Sequence, residues 1–581
     1  MTDLVSGGIS PECPASSKSE NQVSLERRPY ALDWVHDLAT APLKRGKNLL
    51  ELTSFRGVSL WWLVYSPFLN AVTAYAESVK SGRAAVTYHP LLVRLRKSLR
   101  HLVPLYTLLV TAVCRLNARL YSARREPDQA IVMFTAQNIE WRKFADPVHG
   151  KTRKTDVFFD PILREMRKTG KYGIRSTYPI GNPVVGLPVA IEKRLHQPDI
   201  VHIPFEAFWS LSATVVERQL RRRMAKLWID LERDDVFAKR LNYRGLHLLK
   251  ALRTDIEELF KHEIPRAAVN LLTAEKMIEK ENPCLIILQN EYGRWERTVI
   301  AAAKSKGVPT LAIQHGIIGP AHIGYYHKAD EEAGKAEAFP IPDMTVVFGE
   351  YARKVLIETC NYPPERVVAL GNHQYDYVPS FLSRLSTESR NRTCRELGLD
   401  PARRIVLVAT GALQSRYGYP DDDRLLLDAI YSAKLLRPEL QLVVKLHPRE
   451  DGALQQMMAL ERGLDDVVVI RDHVATLLWA SDVLVTIHSA IAMEAIALRK
   501  PVITVNLTGV PDLFPYAQSG AAIGVYRRED LLAALNAVFE DPQTIDRLDE
   551  GRRRFIRDHL SGLDGRSSFR IAQLITRLAN R

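Results

Sequence analysis

The sequence predicts an α/β protein: two doubly wound, Rossmann-like domains facing a cleft, preceded by an N-terminal helical region. Three observations predict it. Short apolar runs of strand type recur between residues 128 and 545, separated by stretches of helical length. At 581 residues the chain is too long for a single hydrophobic core. Polar clusters containing His, Gly and Ser follow several of these runs at once, where a parallel sheet delivers its loops to a binding crevice.

Residues 1–28 begin "MTDLVSGGISPECPASSKSENQ", with an acid, glycines and prolines where a signal peptide would carry a basic and then an apolar run; a disordered tail is expected. Residues 29–127 read as helical, with two apolar stretches, "GVSLWWLVYSPFLNAV" and "HLVPLYTLLVTAVC". Each is shorter than the roughly 20 residues that cross a bilayer. They suit a layer packed on the body, or an interfacial or acceptor element. In the second case Trp61 and Trp62 sit at headgroup depth, and "RLRKSLR", Arg115 and Arg119 reach anionic lipid. Residues 128–375 form the first α/β domain, with strands in "AIVMFT", "CLIILQ", "TLAIQ", "MTVVFG" and "RVVALG" and a long charged helical stretch over 211–280. Residues 376–545 repeat the grammar in "RIVLVATGA", "LQLVVKLHP", "VVVI", "DVLVTI" and "PVITVN", and residues 546–581 are helical. The basic runs "RQLRRRMAK" and "GRRRFIR" read as solvated faces.

The formal charge of +13 favours phosphorylated substrates or an anionic membrane. Aromatic residues are not interleaved with the basic clusters, so no nucleic acid is expected. Five scattered cysteines offer neither zinc spacing nor a disulfide framework and suit a reducing, cytoplasmic setting. The phosphate-binding G-x-x-x-x-G-K-[ST] and G-x-G-x-x-G patterns are missing, which removes most of the weight from nucleoside triphosphatases and standard dinucleotide dehydrogenases. No D-x-D-type acidic pair ends a strand, and "DDDR" at Asp421–Arg424 begins a helix whose dipole its acids complement. Neither a metal nor a cofactor is expected.

Five strand-end clusters carry candidate chemistry. "NEYGRWE" offers Asn290, Glu291 and Arg294; "QHGIIG" offers Gln314 and His315. "TGALQSR" offers Gly411, Ser415 and Arg416; "KLHPR" offers Lys445, His447 and Arg449, with Lys445 and His447 on one face of their strand. "HSAIAMEAI" offers His488, Ser489 and Glu494. Ser489 stands where a helix N-cap should be and could hold a phosphate oxygen with the first-turn amides. Glu494 is flanked by apolar residues, so its carboxylate needs a hydrogen-bonding partner such as a ribose diol.

"SDVLVTIHSAIAMEAIALRKPVITV" resembles the donor-phosphate segment of GT-B-fold glycosyltransferases. "QHG" and "KLHP" resemble, more particularly, bacterial surface-polysaccharide transferases that include capsule sialyl- and Kdo-transferases and CDP-glycerol glycerophosphotransferases. "VFGEYARKVLIETCNYPPERVVALGNHQYD" is similar to the stretch joining the two domains in that group. His488 departs from the glycerophosphotransferase-like pattern, which has an acid and a tyrosine before the serine, and this favours a sugar nucleotide over a polyol-phosphate donor.

The resemblance implies a metal-independent, inverting glycosyltransferase of surface or capsular polysaccharide biosynthesis. It would move a sugar from a nucleotide-sugar to a glycan or lipid-linked acceptor, in the cytoplasm and at the inner face of the plasma membrane. On that reading His447 assists the leaving phosphate, with Gly411, Ser415, Arg416, Lys445, Arg449, His488, Ser489 and Glu494 around the donor. His315 or Glu291 is the base, with Asn290, Arg294 and Gln314 on the acceptor side. The alternatives are a CDP-polyol phosphotransferase, a UDP-sugar 2-epimerase or hydrolase on the same fold, and a non-catalytic scaffold.

Overall fold

A computed structural model of the chain describes residues 27–43, 46–81, 109–116, 129–146, 148, 152–180, 183–320, 322, 324–327, 339–411, 422–447, 450–471, 474–487, 489–509 and 512–580. The first sheet holds β1 (Ile131–Thr135), β2 (Gly173–Tyr178), β3 (Val201–Pro204), β4 (Leu285–Gln289), β5 (Thr310–Ile313), β6 (Met344–Val347) and β7 (Val367–Ala369), in the order β7-β6-β5-β4-β1-β2-β3. The second holds β8 (Ile405–Ala409), β9 (Gln441–Lys445), β10 (Val468–Ile470), β11 (Val483–Thr486), β12 (Val502–Val505) and β13 (Ile523–Val525), in the order β10-β9-β8-β11-β12-β13. All strand pairs within the two sheets are parallel.

In each sheet the chain starts mid-sheet, winds to one edge, then returns to wind to the other. The switch points therefore fall between β1 and β4 and between β8 and β11, where loops part and open a crevice. The two doubly wound lobes form the GT-B arrangement that the sequence predicts. The second sheet's central strands are buried along their whole length, which is why they read as unbroken β-branched runs.

The helices Arg27–Thr40 and Trp61–Ser81 pack into the same core as the first sheet. Trp61 and Trp62 are each 1% exposed, and Trp62 meets the rings of His36, Tyr65 and Phe339. Headgroup depth is thus ruled out for this pair; the tryptophans are core. Arg297, also 1% exposed, pins the layer. Its guanidinium donates to the carbonyls of Trp62 and Gly324, Ser66 Oγ and Tyr65 Oη, and lies between the rings of Tyr65 and Phe339. Arg115, expected to reach lipid, donates instead to the carbonyls of Ala207 and Trp209. Arg119 and "RLRKSLR" lie outside the described residues.

An antiparallel hairpin, Trp141–Ala145 with Thr152–Asp156, leaves the first lobe beside its switch point. Near its turn, Val148 packs against the second lobe's core and its carbonyl accepts from Arg384 at 2.7 Å. The C-terminal helix Ser567–Ala579 returns to the first lobe, burying Ile571 and Ile575 with Phe158 and Ile162. Asp376 accepts the first two amides of that helix, at 2.9 and 2.7 Å. The approach is tight at Gly371, whose φ is +94° and where a Cβ would stand 2.3 Å from Ser567 Oγ. Among the described residues no helix is long and apolar enough to cross a membrane.

Candidate functional site

The second lobe's half of the site is built from three adjacent strand ends. Register sets Lys445 of β9 beside Ala409 of β8, and Ala409 beside Thr486 of β11. Neighbouring strands lie about 5 Å apart, so the loops bearing His447, Gly411 and Ser489 leave one edge side by side. Glu450 fixes the middle of this edge. Its carboxylate accepts from the His447 amide at 2.6 Å, Gln455 Nε2 at 2.8 Å and the Thr410 hydroxyl, while its amide donates to the His447 carbonyl. One acid thus ties the loops after β8 and β9 and sets the His447 backbone. The sequence signal, an acid three residues beyond a strand-end His, was there but is common in turns.

Gly411, expected to bring bare backbone to the donor, gives its amide to Asp423 at 2.7 Å. That acid comes from "DDDR", so it caps a strand-end loop as well as opening a helix. Ser489 stands one residue outside its expected position: the N-cap of helix Ile491–Ala497 is Ala490. Its Oγ lies 3.4 Å from the Ile491 amide, and its carbonyl accepts from Tyr516 at 3.2 Å. Glu494 does have the partner its burial demands. Tyr377, from the connection between the lobes, donates to it at 2.6 Å. Burial pushes the Glu494 carboxyl up, against the opposing pulls of that hydrogen bond, Lys445 and Arg142. Arg142 lies on the first-lobe hairpin, so Glu494 feels cations from both lobes. Ser415, Arg416, Arg449 and His488 lie outside the described residues.

The first lobe answers from its own switch point. After β4, Asn290 adopts φ +58° and its carbonyl accepts from Gly293, turning the chain into helix Arg294–Ser305. Glu291 is 2% exposed and neither carboxylate oxygen has a hydrogen-bond partner among the described residues. Burial pushes its carboxyl up to about 8, opposed by its own backbone amide and by Arg297 and helped by Glu296. Glu296, raised by burial to about 7, accepts from Gln137 at 2.7 Å.

Gln314, expected on the acceptor side, is buried. It accepts the Phe348 amide and donates to the Gly316 carbonyl, both at 2.7 Å, joining the ends of β5 and β6. Arg294 likewise forms an ion pair with Glu263 on the neighbouring helix. His315 is half-buried, with Nε2 3.2 Å from Tyr292 Oη. Two residues on, Ile317 packs against the second lobe's core. Tyr292 also meets the His322 ring. His322, Arg142 and Tyr377 escaped sequence reasoning because none sits in a strand-end motif with a readable spacing, and Tyr292 was passed over inside "NEYGRWE" in favour of its charged and amide neighbours. Among the described residues no group of three or more His, Cys, Asp or Glu side chains is placed to hold a metal ion.

The model of the family described as CDP-glycerol:poly(glycerophosphate) glycerophosphotransferase matches residues 253–577, more than half of the chain. The chain belongs to this family. Membership makes it a transferase, and the family's description names a nucleotide-activated donor and a polymeric acceptor. No curated protein matches the sequence. Among solved structures, the chain is similar to UDP-GlcNAc 2-epimerase from Neisseria meningitidis bound to UDP-GlcNAc, at 12% identity and a TM-score of 0.47, over 77% of this chain and 100% of that one. A glycosyltransferase from Rickettsia africae aligns at 13% identity and a TM-score of 0.44, over 78% and 99% of the two chains. Likenesses at this level follow the course of the chain and carry no chemistry.

Proposed function

We propose that this chain transfers a sugar from a nucleotide-sugar to a hydroxyl of a glycan or lipid-linked acceptor, without a metal, in the building of a surface polysaccharide on the cytoplasmic side of the membrane. One observation carries the reading: Lys445, His447 and Ser489 leave a single edge of the second sheet, and Glu494 there is within electrostatic reach of Arg142 from the opposite lobe. Cations and donors from two lobes, converging on a switch-point crevice, suit a diphosphate.

In the reaction the acceptor oxygen bonds to the anomeric carbon as the carbon–oxygen bond to phosphate breaks, and the nucleotide leaves: a diphosphate from an NDP-sugar, a monophosphate from a CMP-sugar. Attack from the face opposite the phosphate inverts the centre. His447 donates a hydrogen bond to the departing phosphate, with Lys445 and Ser489 beside it. His315 takes the acceptor proton, oriented by Tyr292. Glu291 is too buried to meet an acceptor and stays mostly protonated at neutral pH.

A second reading is favoured by the family match: transfer of glycerophosphate from CDP-glycerol. There the acceptor oxygen attacks phosphorus, the bond between the two phosphates breaks, and CMP leaves. The products separate the two readings. Calorimetry with CMP, CDP, UDP and GDP is expected to find one nucleotide whose binding is lost in His447→Ala and Ser489→Ala. Turnover with acceptor membranes then adds a sugar without phosphorus to the acceptor in the first reading and a glycerophosphate in the second. Binding of no nucleotide at all would sink both.

A further inference from the structure

At the first lobe's switch point, the ends of β1 and β4 carry polar groups that the transfer chemistry leaves unused. The loop after β1 brings Gln137 and Glu140; β4 ends in Gln289 and Asn290, and Glu296 lies in the first turn of the following helix. Two pairs brace these segments. Gln137 Nε2 donates to Glu296 at 2.7 Å, and Gln289 Nε2 donates to Glu140 at 3.3 Å. A brace needs no more than that, yet oxygens are left over. Gln289 is 1% exposed, and its Oε1 has no hydrogen-bond partner among the described residues. Asn290 Oδ1 is buried and has none either. Buried carbonyl oxygens are rarely left so, because each forfeits the bond it made with water.

Space is kept beside them. A Cβ on Gly293 would collide with Glu296 Oε2 and stand 3.1 Å from Asn290 Nδ2. The φ of Gly293 is −65°, which any residue adopts, so this glycine serves room and not conformation. The cluster also borders both halves of the proposed site. Glu140 is 3.6 Å from Arg142, whose field reaches Glu494 of the second lobe. Asn290 is two residues from Tyr292, which holds His315.

We infer that this cluster sets acceptor specificity, reading the hydroxyl groups of a neutral sugar or polyol unit and refusing phosphate. The inference rests on the transfer reading and names the acceptor class for it. A hydroxyl donates, so neighbouring hydroxyls satisfy Gln289 Oε1 and Asn290 Oδ1 together. A phosphate ester at neutral pH brings acceptor oxygens and negative charge, setting lone pair against lone pair beside Glu140. The accepting end of the polymer is thereby free of phosphate, whichever group is transferred.

The test is saturation-transfer NMR on the full chain. The probes are glycerol, the methyl glycosides of glucose, galactose, mannose and N-acetylglucosamine, and, as anions, glucose 6-phosphate and glycerol 1-phosphate. At least one neutral probe is expected to bind at millimolar concentration, about tenfold or more tighter than the anions. Asn290→Gly, which keeps the left-handed turn, should lower that affinity about tenfold. Gly293→Ala, which keeps every polar group, should lower it at least as much. Thermal midpoints equal to wild type show that both variants are folded; where one is not, Gln289→Met takes its place. Anions binding as well as neutral probes, or full affinity in the folded variants, overturns the inference. Calorimetry with CMP, CDP, UDP and GDP separates the two readings, since nucleotide affinity is expected unchanged in these variants. Nucleotide binding with no neutral probe bound sinks this inference alone, whereas no nucleotide binding sinks the transfer reading beneath it.

Discussion

Replacing Glu291 with Gln tests the buried acid at the first switch point directly. Both carboxylate oxygens lack hydrogen-bond partners among the described residues, and burial pushes the group from its ordinary 4.5 up to about 8. A raised carboxyl binds its proton more tightly in the folded chain than in the unfolded one. Its stabilising contribution is therefore complete below about pH 4.5 and is lost as pH rises through about 8. Each pH unit inside that window costs about 1.4 kcal/mol, so the interval of 8 less 4.5 amounts to about 5 kcal/mol, of which about 2–3 kcal/mol falls between pH 5 and 7. Glu291→Gln keeps the shape and abolishes the titration. Its thermal midpoint should start at or slightly below wild type at pH 5 and gain roughly 5 °C on it by pH 7. Scanning calorimetry at four pH values between 5 and 8 measures this. Parallel wild-type and variant curves would refute the reasoning, because they would mean Glu291 is ionised and partnered in the folded chain.

Arg297→Ala should cost about 3–5 kcal/mol in chemical denaturation, since it strands two buried carbonyls and two hydroxyls. Arg297→Lys should rescue little, because an ammonium cannot reproduce the fork; limited proteolysis should then release the N-terminal layer first. Glu450→Gln removes the charge that organises the His447 amide and the Thr410 hydroxyl, and should lower turnover about 10- to 100-fold with little shift in thermal midpoint. Arg142→Ala alters a side chain 54% exposed, so it should leave stability unchanged and raise the donor KM about tenfold in steady-state kinetics.

The second lobe was nearly all legible. Its strands β8, β9, β11 and β12 are buried on both faces, and only uninterrupted apolar runs satisfy that. The first lobe was less so. β2 and β3 were not read as strands. β2 carries Arg175, Ser176 and Thr177 in its buried run, and a polar stretch of that kind has no strand signature. Arg175 is tolerated because Glu281, more than a hundred residues away, lies 3.5 Å from it. The hairpin 141–156 was missed for a similar reason: "WRKFA" and "TRKTD" are charged and take their place from distant first-lobe partners, Lys154 from Glu192 and Trp141 from His202. Strand-end residues could be located from one sequence, but their use could not. Gln314 and Arg294 are polar in the right places, yet each is engaged by a neighbour that no local pattern announces.

On the proposed donor reading, two glutamates at the two switch points bear on how the crevice would admit an anion. A diphosphate entering between the lobes would be repelled by any ionised carboxylate without a cation beside it. The first lobe meets this by burial, which holds Glu291 largely protonated at neutral pH and raises Glu296 to about 7. The second lobe meets it by pairing: Glu494 carries a hydrogen bond from Tyr377 and the fields of Lys445 and Arg142. Both devices limit the repulsion an anion would meet, with Arg142 shared between Glu494 and Glu140, which lies 3.6 Å from it. The chain's overall +13 adds little at this crevice, since a surplus elsewhere on the surface is screened within about 10 Å at 0.1 M salt.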